Sequence, residues 1–124
     1  MSFNKIKGAE GERLAADYLQ EKLNFVIIDR NVRSLRAELD IVAIKDNELR
    51  FIEVKSRMHH AVNSIMSSLE QRKLKQLTKG AADYLNTNRI QGITEVYFDL
   101  VTVIFNEDGG HEIEYTPSFF YPTW

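Results

Sequence analysis

The sequence predicts an α/β fold in which a mixed β-sheet is flanked by helices. Two segments with apolar residues at three- and four-residue spacing predict helices, and five segments rich in apolar or β-branched residues predict strands. Their order along the chain is α-β-β-β-α-β-β. With 124 residues and no cysteine, the chain fits one domain whose core needs no disulfide or structural zinc. We expect this domain to span 1–124, with a core over about 8–104 and a C-terminal strand and aromatic tail over 105–124.

The first half of the chain supplies one helix and three strands. A helix is predicted over 8–22, where Gly11, Leu14, Ala15, Tyr18 and Lys22 fall at three- and four-residue spacing and no proline intervenes. Strands are predicted over 25–32, 38–44 and 49–55, where β-branched and other apolar residues alternate with polar ones. Residues 57–68, which are polar and rich in serine, are expected to form an irregular approach to the next helix.

The second helix is predicted over 69–86. Its apolar face carries Leu74, Leu77, Ala81, Tyr84 and Leu85. Its opposite, basic face carries Arg72, Lys75 and Lys79, with Lys73 at the border between the two faces. A long apolar run over 95–105 then predicts a strand buried on both sides, and alternation over 111–115 predicts an edge strand.

Charge is distributed unevenly along the chain. The net charge is −2, which argues against a strongly basic, sequence-indifferent nucleic-acid coat. Residues 1–89 hold 16 basic and 12 acidic residues, a balance of +4, whereas residues 90–124 hold no basic and six acidic ones, a balance of −6. A cationic surface region is therefore compatible with an acidic total. No apolar run approaches the ~20 residues of a membrane span, and no secretion signal is recognisable, so we expect a cytoplasmic protein without membrane partners.

Four ionisable residues are predicted to meet at the end of a hairpin. If Asp46 and Asn47 form a two-residue turn, each pair of facing residues has numbers that add to 93. The facing pairs are then Ile44 with Leu49, Val42 with Phe51, Asp40 with Glu53, and Glu38 with Lys55. Facing side chains on neighbouring strands lie about 5 Å apart, so this register brings two carboxylates together.

Paired carboxylates beside a lysine are the groups that metal-dependent phosphodiester hydrolysis requires. Mg²⁺ or Mn²⁺ relieves the repulsion between Asp40 and Glu53 while keeping waters, one of which can become a nucleophile. Lys55, on the same strand face as Glu53, can orient that water or stabilise charge on the phosphate. The alternative is a surface hairpin held by cross-strand ion pairs such as Glu38 with Lys55. A one-residue slip in register would also separate the two acids.

The same residues resemble a known nuclease signature. Asp40 followed by Glu53-x-Lys55 is similar to the PD-(D/E)XK motif of restriction endonucleases and Holliday-junction resolvases, and the chain resembles the YraN-type family of predicted bacterial nucleases. The matching landmarks are Gly8-x-x-Gly11-Glu12-x-x-Ala15-x-x-Tyr18-Leu19, Asn31-x-Arg33, Glu38-x-Asp40, Phe51-x-Glu53-Val54-Lys55-x-Arg57, Lys73 and Phe98-Asp99. Two positions depart from the family pattern: Ala37 replaces a glycine and Tyr97 replaces an arginine.

The resemblance implies a restriction-endonuclease-like core and a role for each matching residue. Asp40, Glu53 and the backbone carbonyl of Val54 would hold Mg²⁺ or Mn²⁺, Glu12 would be a further ligand, and Lys55 would be the catalytic lysine. Glu38 is a secondary acidic candidate. Expected nucleic-acid contacts are Arg33, Arg57, Arg72, Lys73, Lys75 and Lys79. The implied activity is endonucleolytic cleavage of DNA, which is favoured over RNA, in branched or otherwise structured form. By analogy with resolvases, a homodimer is expected.

Two other functions remain open from the sequence alone. A non-catalytic nucleic-acid-binding module would use the basic face of the second helix together with Arg30, Arg33 and Arg36. An interaction protein would dock through the aromatic tail over 119–124, which holds four aromatic residues in six. The same tail could instead fold back on its own sheet.

Overall fold

The helices and strands follow one another in the predicted order α-β-β-β-α-β-β. The computed structural model describes residues 3–35, 37–59 and 71–124. Within them lie α1 (Phe3–Glu21), β1 (Val26–Arg33), β2 (Glu38–Lys45), β3 (Glu48–Met58), α2 (Gln71–Thr87), β4 (Glu95–Phe105) and β5 (His111–Thr116). In this part of the chain, no helix is both long and apolar enough to span a membrane.

The predicted boundaries need correction for α1 and for four of the strands. Helix α1 begins at Phe3, five residues before the predicted start, and ends at Glu21. Strand β3 continues to Met58, so Arg57 lies in a strand and not in the predicted irregular segment. Strand β1 is displaced by one residue toward the C-terminus, and β2, β3 and β5 each gain a residue at one end. The predicted start of the second helix at residue 69, and most of the predicted irregular segment, lie outside the described residues.

The five strands form one mixed sheet in the order β1-β2-β3-β4-β5. The pairs β1–β2, β2–β3 and β4–β5 are antiparallel, whereas β3 and β4 run parallel and are joined through α2. Helix α1 packs against one face of the sheet through a cluster that includes Ala15 and Leu19. Helix α2 packs against the other face through Leu77, Ala81 and Tyr84. As predicted, β4 is buried over most of its length and β5 is an edge strand.

The buried residues of α1 differ slightly from those identified by spacing. Gly11, Ala15, Ala16 and Leu19 are buried, whereas Tyr18 is only half-buried. A Cβ at Gly11 would lie 1.9 Å from the Ser56 Oγ of β3 and 3.2 Å from its Cβ, so a larger residue would force the Ser56 side chain to move. This close approach of α1 to the sheet lies next to Glu12 in the helix.

The predicted hairpin register holds near the turn and fails at its far end. Ile44 pairs with Leu49 and Val42 with Phe51, as expected from a turn at Asp46 and Asn47. The ladder between β2 and β3 then ends at the pair Ile41 and Ile52. The predicted ladder pairs Asp40 with Glu53 and Glu38 with Lys55 are therefore wrong. Asp40 and Glu53 nevertheless lie close together, because both line the same inner cavity.

Candidate active site

Asp40 lies where β2 and β3 separate. Its Oδ2 accepts a hydrogen bond from the Val54 backbone N–H at 2.8 Å, in the position where a ladder carbonyl would otherwise accept. Alternation along β2 is interrupted at the same point, because Leu39 packs in the α2-side cluster with Val42 while Ile41 packs in the α1-side cluster. The Asp40 side chain has thus replaced a backbone acceptor of the ladder, which explains why the predicted pairing with Glu53 ends before this residue.

Glu53 is the most deeply buried acid of the site. Its residue is only 6% exposed, and it lines a small inner cavity together with Asp40, Phe51 and Phe98. The Oε1 atom lies 3.7 Å from the Nζ of Lys55 and 3.7 Å from the Nζ of Lys73. The Oε2 atom is buried and accepts no hydrogen bond from any residue in the described ranges. A buried carboxylate oxygen left unpaired is costly, so this atom marks a place where a ligand could compensate.

Glu12 approaches Asp40 from the opposite side, on α1. Together with Asp40 it lines an open cleft of about 220 Å³, whose other wall includes Arg30 and Asn31. Asn31 adopts a left-handed backbone conformation with φ of 51°, which asparagine tolerates better than most residues. Asp40 therefore lines two spaces. It shares the inner cavity with Glu53 and the outer cleft with Glu12.

The proximity of these acids disfavours their charged forms. Burial, followed by repulsion from Asp40, raises the pKa of Glu53 to about 7, although Lys73 and Lys55 oppose the shift. Burial and repulsion from Asp40 likewise raise the pKa of Glu12 to about 7. Burial also raises the pKa of Asp40, against the lowering effect of the Val54 N–H. A bound cation would favour the ionised forms of these carboxyl groups.

The donor atoms fit a hard divalent cation only with water completing its shell. Among the described residues, no group of three acidic or histidine side chains converges as a ready-made metal cage. Mg²⁺ commonly uses one or two carboxylates and retains waters, so Asp40 and Glu53 are sufficient in number. The N–H and C=O of a strand residue point toward the same neighbouring strand, so the Val54 carbonyl faces the same side as the N–H bound by Asp40. The unpaired Oε2 of Glu53 supports this fit.

The other predicted site residues are dispersed around this centre. Lys55 and Lys73 reach Glu53, whereas Arg72, Lys75 and Lys79 are exposed on α2. Arg57 is half-buried on β3 and donates to the Ser56 carbonyl at 2.8 Å. Glu38 is exposed and pairs with Arg33 at 3.9 Å, which replaces the ion pair with Lys55 that the hairpin alternative required. Arg36 lies outside the described residues.

Two further features shape this region. The first is Lys73, a predicted nucleic-acid contact on the helix expected to lean over the site, whose Nζ lies 3.7 Å from the Oε1 of the buried Glu53. The second, which the sequence analysis does not predict, is the fully buried Asp99 on β4. It accepts hydrogen bonds from Arg50, from the Tyr115 hydroxyl and from the Ser118 N–H. The arginine expected before Phe98 is replaced by Tyr97, and the guanidinium of Arg50 lies 4.3 Å from that ring.

Comparison with known proteins identifies similar chains across several bacteria. Residues 11–103 match the profile of a family described as "Uncharacterised protein family UPF0102". A UPF0102 protein of Trichlorobacter lovleyi is 38% identical over 119 residues, covering 94% of this chain and 91% of the relative. UPF0102 proteins of Bacteroides thetaiotaomicron and Syntrophomonas wolfei are each 36% identical, covering 93% and 90% of this chain and 92% and 95% of the relatives. The matched range contains every acidic residue of the site.

Proposed function

This chain belongs to the uncharacterised protein family UPF0102, and we propose that it is a metal-dependent endonuclease that hydrolyses phosphodiester bonds in DNA. The single observation that carries the proposal is the environment of Glu53: a buried carboxylate with one unpaired oxygen, two lysine ammonium groups at its other oxygen, and Asp40 as its neighbour. A residue that served packing alone would not keep a buried acid in this state.

The residues divide the chemistry among themselves. Asp40, Glu53 and the Val54 carbonyl would hold Mg²⁺ or Mn²⁺, with Glu12 acting directly or through a water. When bound, the cation would lower the pKa of a coordinated water and polarise the scissile phosphate. Lys55, fixed beside Glu53, orients the attacking water and stabilises the negative charge that grows on the phosphate oxygens. Lys73 supplies a second positive charge from α2.

The open cleft beside Asp40 suits an anionic substrate. Arg30 and Arg13 line it along with the two acids, so a phosphate entering the cleft meets positive side chains before it reaches the carboxylates. Arg13 also lies 3.5 Å from Asp17 on the surface of α1, an exposed pair that contributes little stability and competes weakly for the arginine. The resemblance to the PD-(D/E)XK signature adds independent support, because Asp40, Glu53 and Lys55 match its three landmark positions.

Cleavage assays test this proposal directly. Supercoiled plasmid, linear duplex and a four-way junction are incubated with the protein and Mn²⁺ or Mg²⁺, with EDTA reactions as blanks. We expect wild type to cut at least one substrate, Asp40→Ala to abolish cutting, and Lys55→Ala to slow it by about 10²–10³-fold, because it removes one charge-stabilising donor. Glu21→Ala, which removes an exposed acid at the end of α1, is the matched control and should retain wild-type rates.

A second function is favoured by the exposed basic residues on α2. Arg72, Lys75 and Lys79 could support a module that binds nucleic acid without cutting it. Such a module would bind with a steep salt dependence and show no metal-dependent cleavage. If wild type and Asp40→Ala leave every substrate equally intact over a wide range of metal concentrations, the endonuclease proposal fails and the binding module takes its place.

A further inference from the structure

A groove of about 310 Å³ runs between α2 and the C-terminal tail, on the sheet face that α2 covers. One wall is formed by α2, where Gln71, Lys75, Thr78 and Lys79 line the groove. The other wall is formed by the tail, which contributes Tyr121 and Pro122. Residues 71–79 span about 12 Å along the helix axis, so the groove is long enough for more than one nucleotide.

The tail forms a fixed wall because it is anchored to the sheet. The Phe119 N–H donates to the Phe98 carbonyl at 2.9 Å, and the Ser118 N–H donates to the buried Asp99 at 2.9 Å. The rings of Phe98 and Phe120 lie 4.8 Å apart between centroids. The next ring, that of Tyr121, is 83% exposed although its backbone follows directly from these contacts. The chain therefore holds an aromatic ring in solvent at a defined place.

The charge around this ring is positive, contrary to what the sequence suggests. The tail follows a stretch over 90–116 that holds six acidic residues and no basic one. In the fold, however, the tail crosses to α2, and the described residues that line the groove include Lys75 and Lys79 and no acidic residue. Within the described part of the chain, neither lysine has an ion-pair partner.

We propose that this groove binds single-stranded nucleic acid, with a base stacked on Tyr121 and the backbone phosphates held by Lys75 and Lys79. An exposed ring beside a basic track is the combination with which proteins bind single strands, since every base offers a face for stacking. A duplex would keep its bases stacked internally and could not use the ring. The charge complementarity of the groove favours this occupant over a second copy of the chain, whose own groove is equally positive.

The groove and the acidic site share the first turns of α2. Lys73 reaches Glu53 from one side of the helix, while Gln71 and Lys75, two residues before and after it, line the groove on the other. A single strand held in the groove lies beside the acidic site. If the proposed endonuclease function holds, on which this step rests, the preferred substrates carry a single-stranded segment. Binding itself requires neither metal nor hydrolysis.

Fluorescence anisotropy in EDTA tests the groove separately from catalysis. The probes are a labelled oligo(dT), an oligo(U) of the same length, and a DNA duplex of that length. We expect a single strand to bind more tightly than the duplex. The affinities for oligo(dT) and oligo(U) show whether the groove prefers DNA or RNA. Tyr121→Ala should weaken single-strand binding about tenfold, and Tyr121→Phe, which keeps the ring, by less than about twofold.

Substitution of a lysine in the groove and of a lysine outside it tests where the phosphates bind. Lys79→Gln should reduce the slope of log K against log salt by about 0.7, whereas Lys22→Gln, at an exposed position in the turn after α1, should leave it unchanged. The inference is overturned if Tyr121→Ala binds like wild type, if the duplex binds as tightly as the single strands, or if Lys22→Gln weakens binding as much as Lys79→Gln. It is also overturned if Tyr121→Ala alters only the oligomeric mass measured by ultracentrifugation.

The two proposals fail in different ways. Intact single-strand binding with no cleavage of any substrate contradicts the endonuclease activity alone. Metal-dependent cleavage that is equally fast in wild type and Tyr121→Ala, with no single-strand binding in EDTA, contradicts the groove alone.

Discussion

Two buried acids lie on neighbouring strands of this sheet, and their surroundings differ sharply. Asp99 on β4 is fully buried and has partners for both oxygens: Arg50 bonds to each at 2.9 and 3.1 Å, and Tyr115 and Ser118 complete the set. Glu53 on β3 has lysines near one oxygen, whereas its other oxygen accepts no hydrogen bond from the residues that the structure describes and faces the neighbouring acid Asp40. The same sheet thus contains one carboxylate with donors at both oxygens and one with a donor-free oxygen.

The difference separates a structural role from a chemical one. Asp99 joins β3 through Arg50, β5 through Tyr115 and the tail through Ser118, so its hydrogen bonds hold together segments distant in sequence. Burial, followed by the hydrogen bond to Asp99, raises the pKa of Tyr115 well above its ordinary value. Glu53 contacts one other element, α2, through Lys73. An acid that is buried at a cost to stability, and left available, is typical of a site that binds a ligand.

Breaking the satisfied acid should have the largest effect on stability. We expect Asp99→Asn to lower the free energy of unfolding by about 3 kcal/mol, because it removes the fully buried counter-charge of the Arg50 guanidinium and leaves it only Glu48, at 2.8 Å. Urea denaturation measures this loss. Asp17→Asn, at an exposed position, is the control and should change stability by less than about 0.5 kcal/mol. A loss below about 1 kcal/mol for Asp99→Asn would mean that the network is not what holds the tail and strands together.

Glu53 should show the opposite behaviour, and its effect should depend on pH. A carboxyl group whose pKa is higher in the folded than in the unfolded chain favours folding only while it is protonated. With a folded pKa of about 7 against an ordinary value of 4.5, Glu53 should cost the metal-free protein stability as pH rises from about 4.5 to about 7. We therefore expect Glu53→Gln in EDTA to be more stable than wild type at pH 8, by about 2 kcal/mol, and to differ little near pH 4.5.

Urea denaturation across this pH range checks the prediction, and Glu95→Gln at the exposed start of β4 is the matched control. Adding Mg²⁺ or Mn²⁺ should stabilise wild type at pH 8 more than at pH 5, since protons and the cation compete for the same oxygens. If the free energy of unfolding varies with pH in the same way in wild type and Glu53→Gln, the proposed difference between Glu53 and Asp99 is wrong.

Much of this contrast could not be predicted from the sequence. The turn at Asp46 and Asn47 and the apolar alternation beyond it determine the register of the hairpin, so that part was predictable. The interruption at Asp40 depends on a side chain outcompeting a backbone carbonyl for the Val54 N–H, which no pattern encodes. Likewise, Arg50 and Asp99 are 49 residues apart and meet through the parallel pairing of β3 with β4.

The sequence allowed the residues of the candidate site to be predicted better than their arrangement in space. Asp40, Glu53 and Lys55 could be grouped by strand alternation and by resemblance to a nuclease signature. The contact of Lys73 with Glu53 depends on how α2 is rotated on the sheet, and the approach of Glu12 depends on how closely α1 packs at Gly11. These are properties of tertiary packing, and neither follows from local spacing.

The smallest expected effect concerns how α1 presents Glu12 to the sheet. Gly8 and Gly11 both lie in α1, but a Cβ at Gly8 meets nothing within 4 Å, whereas one at Gly11 meets Ser56. Gly8→Ala should stabilise the protein by up to about 1 kcal/mol through helix propensity. Gly11→Ala should lose that gain to crowding and should weaken metal binding by moving Glu12. Thermal denaturation and metal titration of the two variants compare them directly, and equal behaviour would show that Gly11 does not position the acid.

Calorimetric titration of Mn²⁺ is the most direct test of the claim that Glu53 and Asp40 form a cation site. The titration compares wild type with Asp40→Asn and Glu53→Gln, and uses Asp17→Asn as the control for removal of one acid. We predict a saturable site in wild type and in Asp17→Asn, and its loss in both site variants. A featureless titration of wild type, or undiminished binding in Asp40→Asn, would contradict the account.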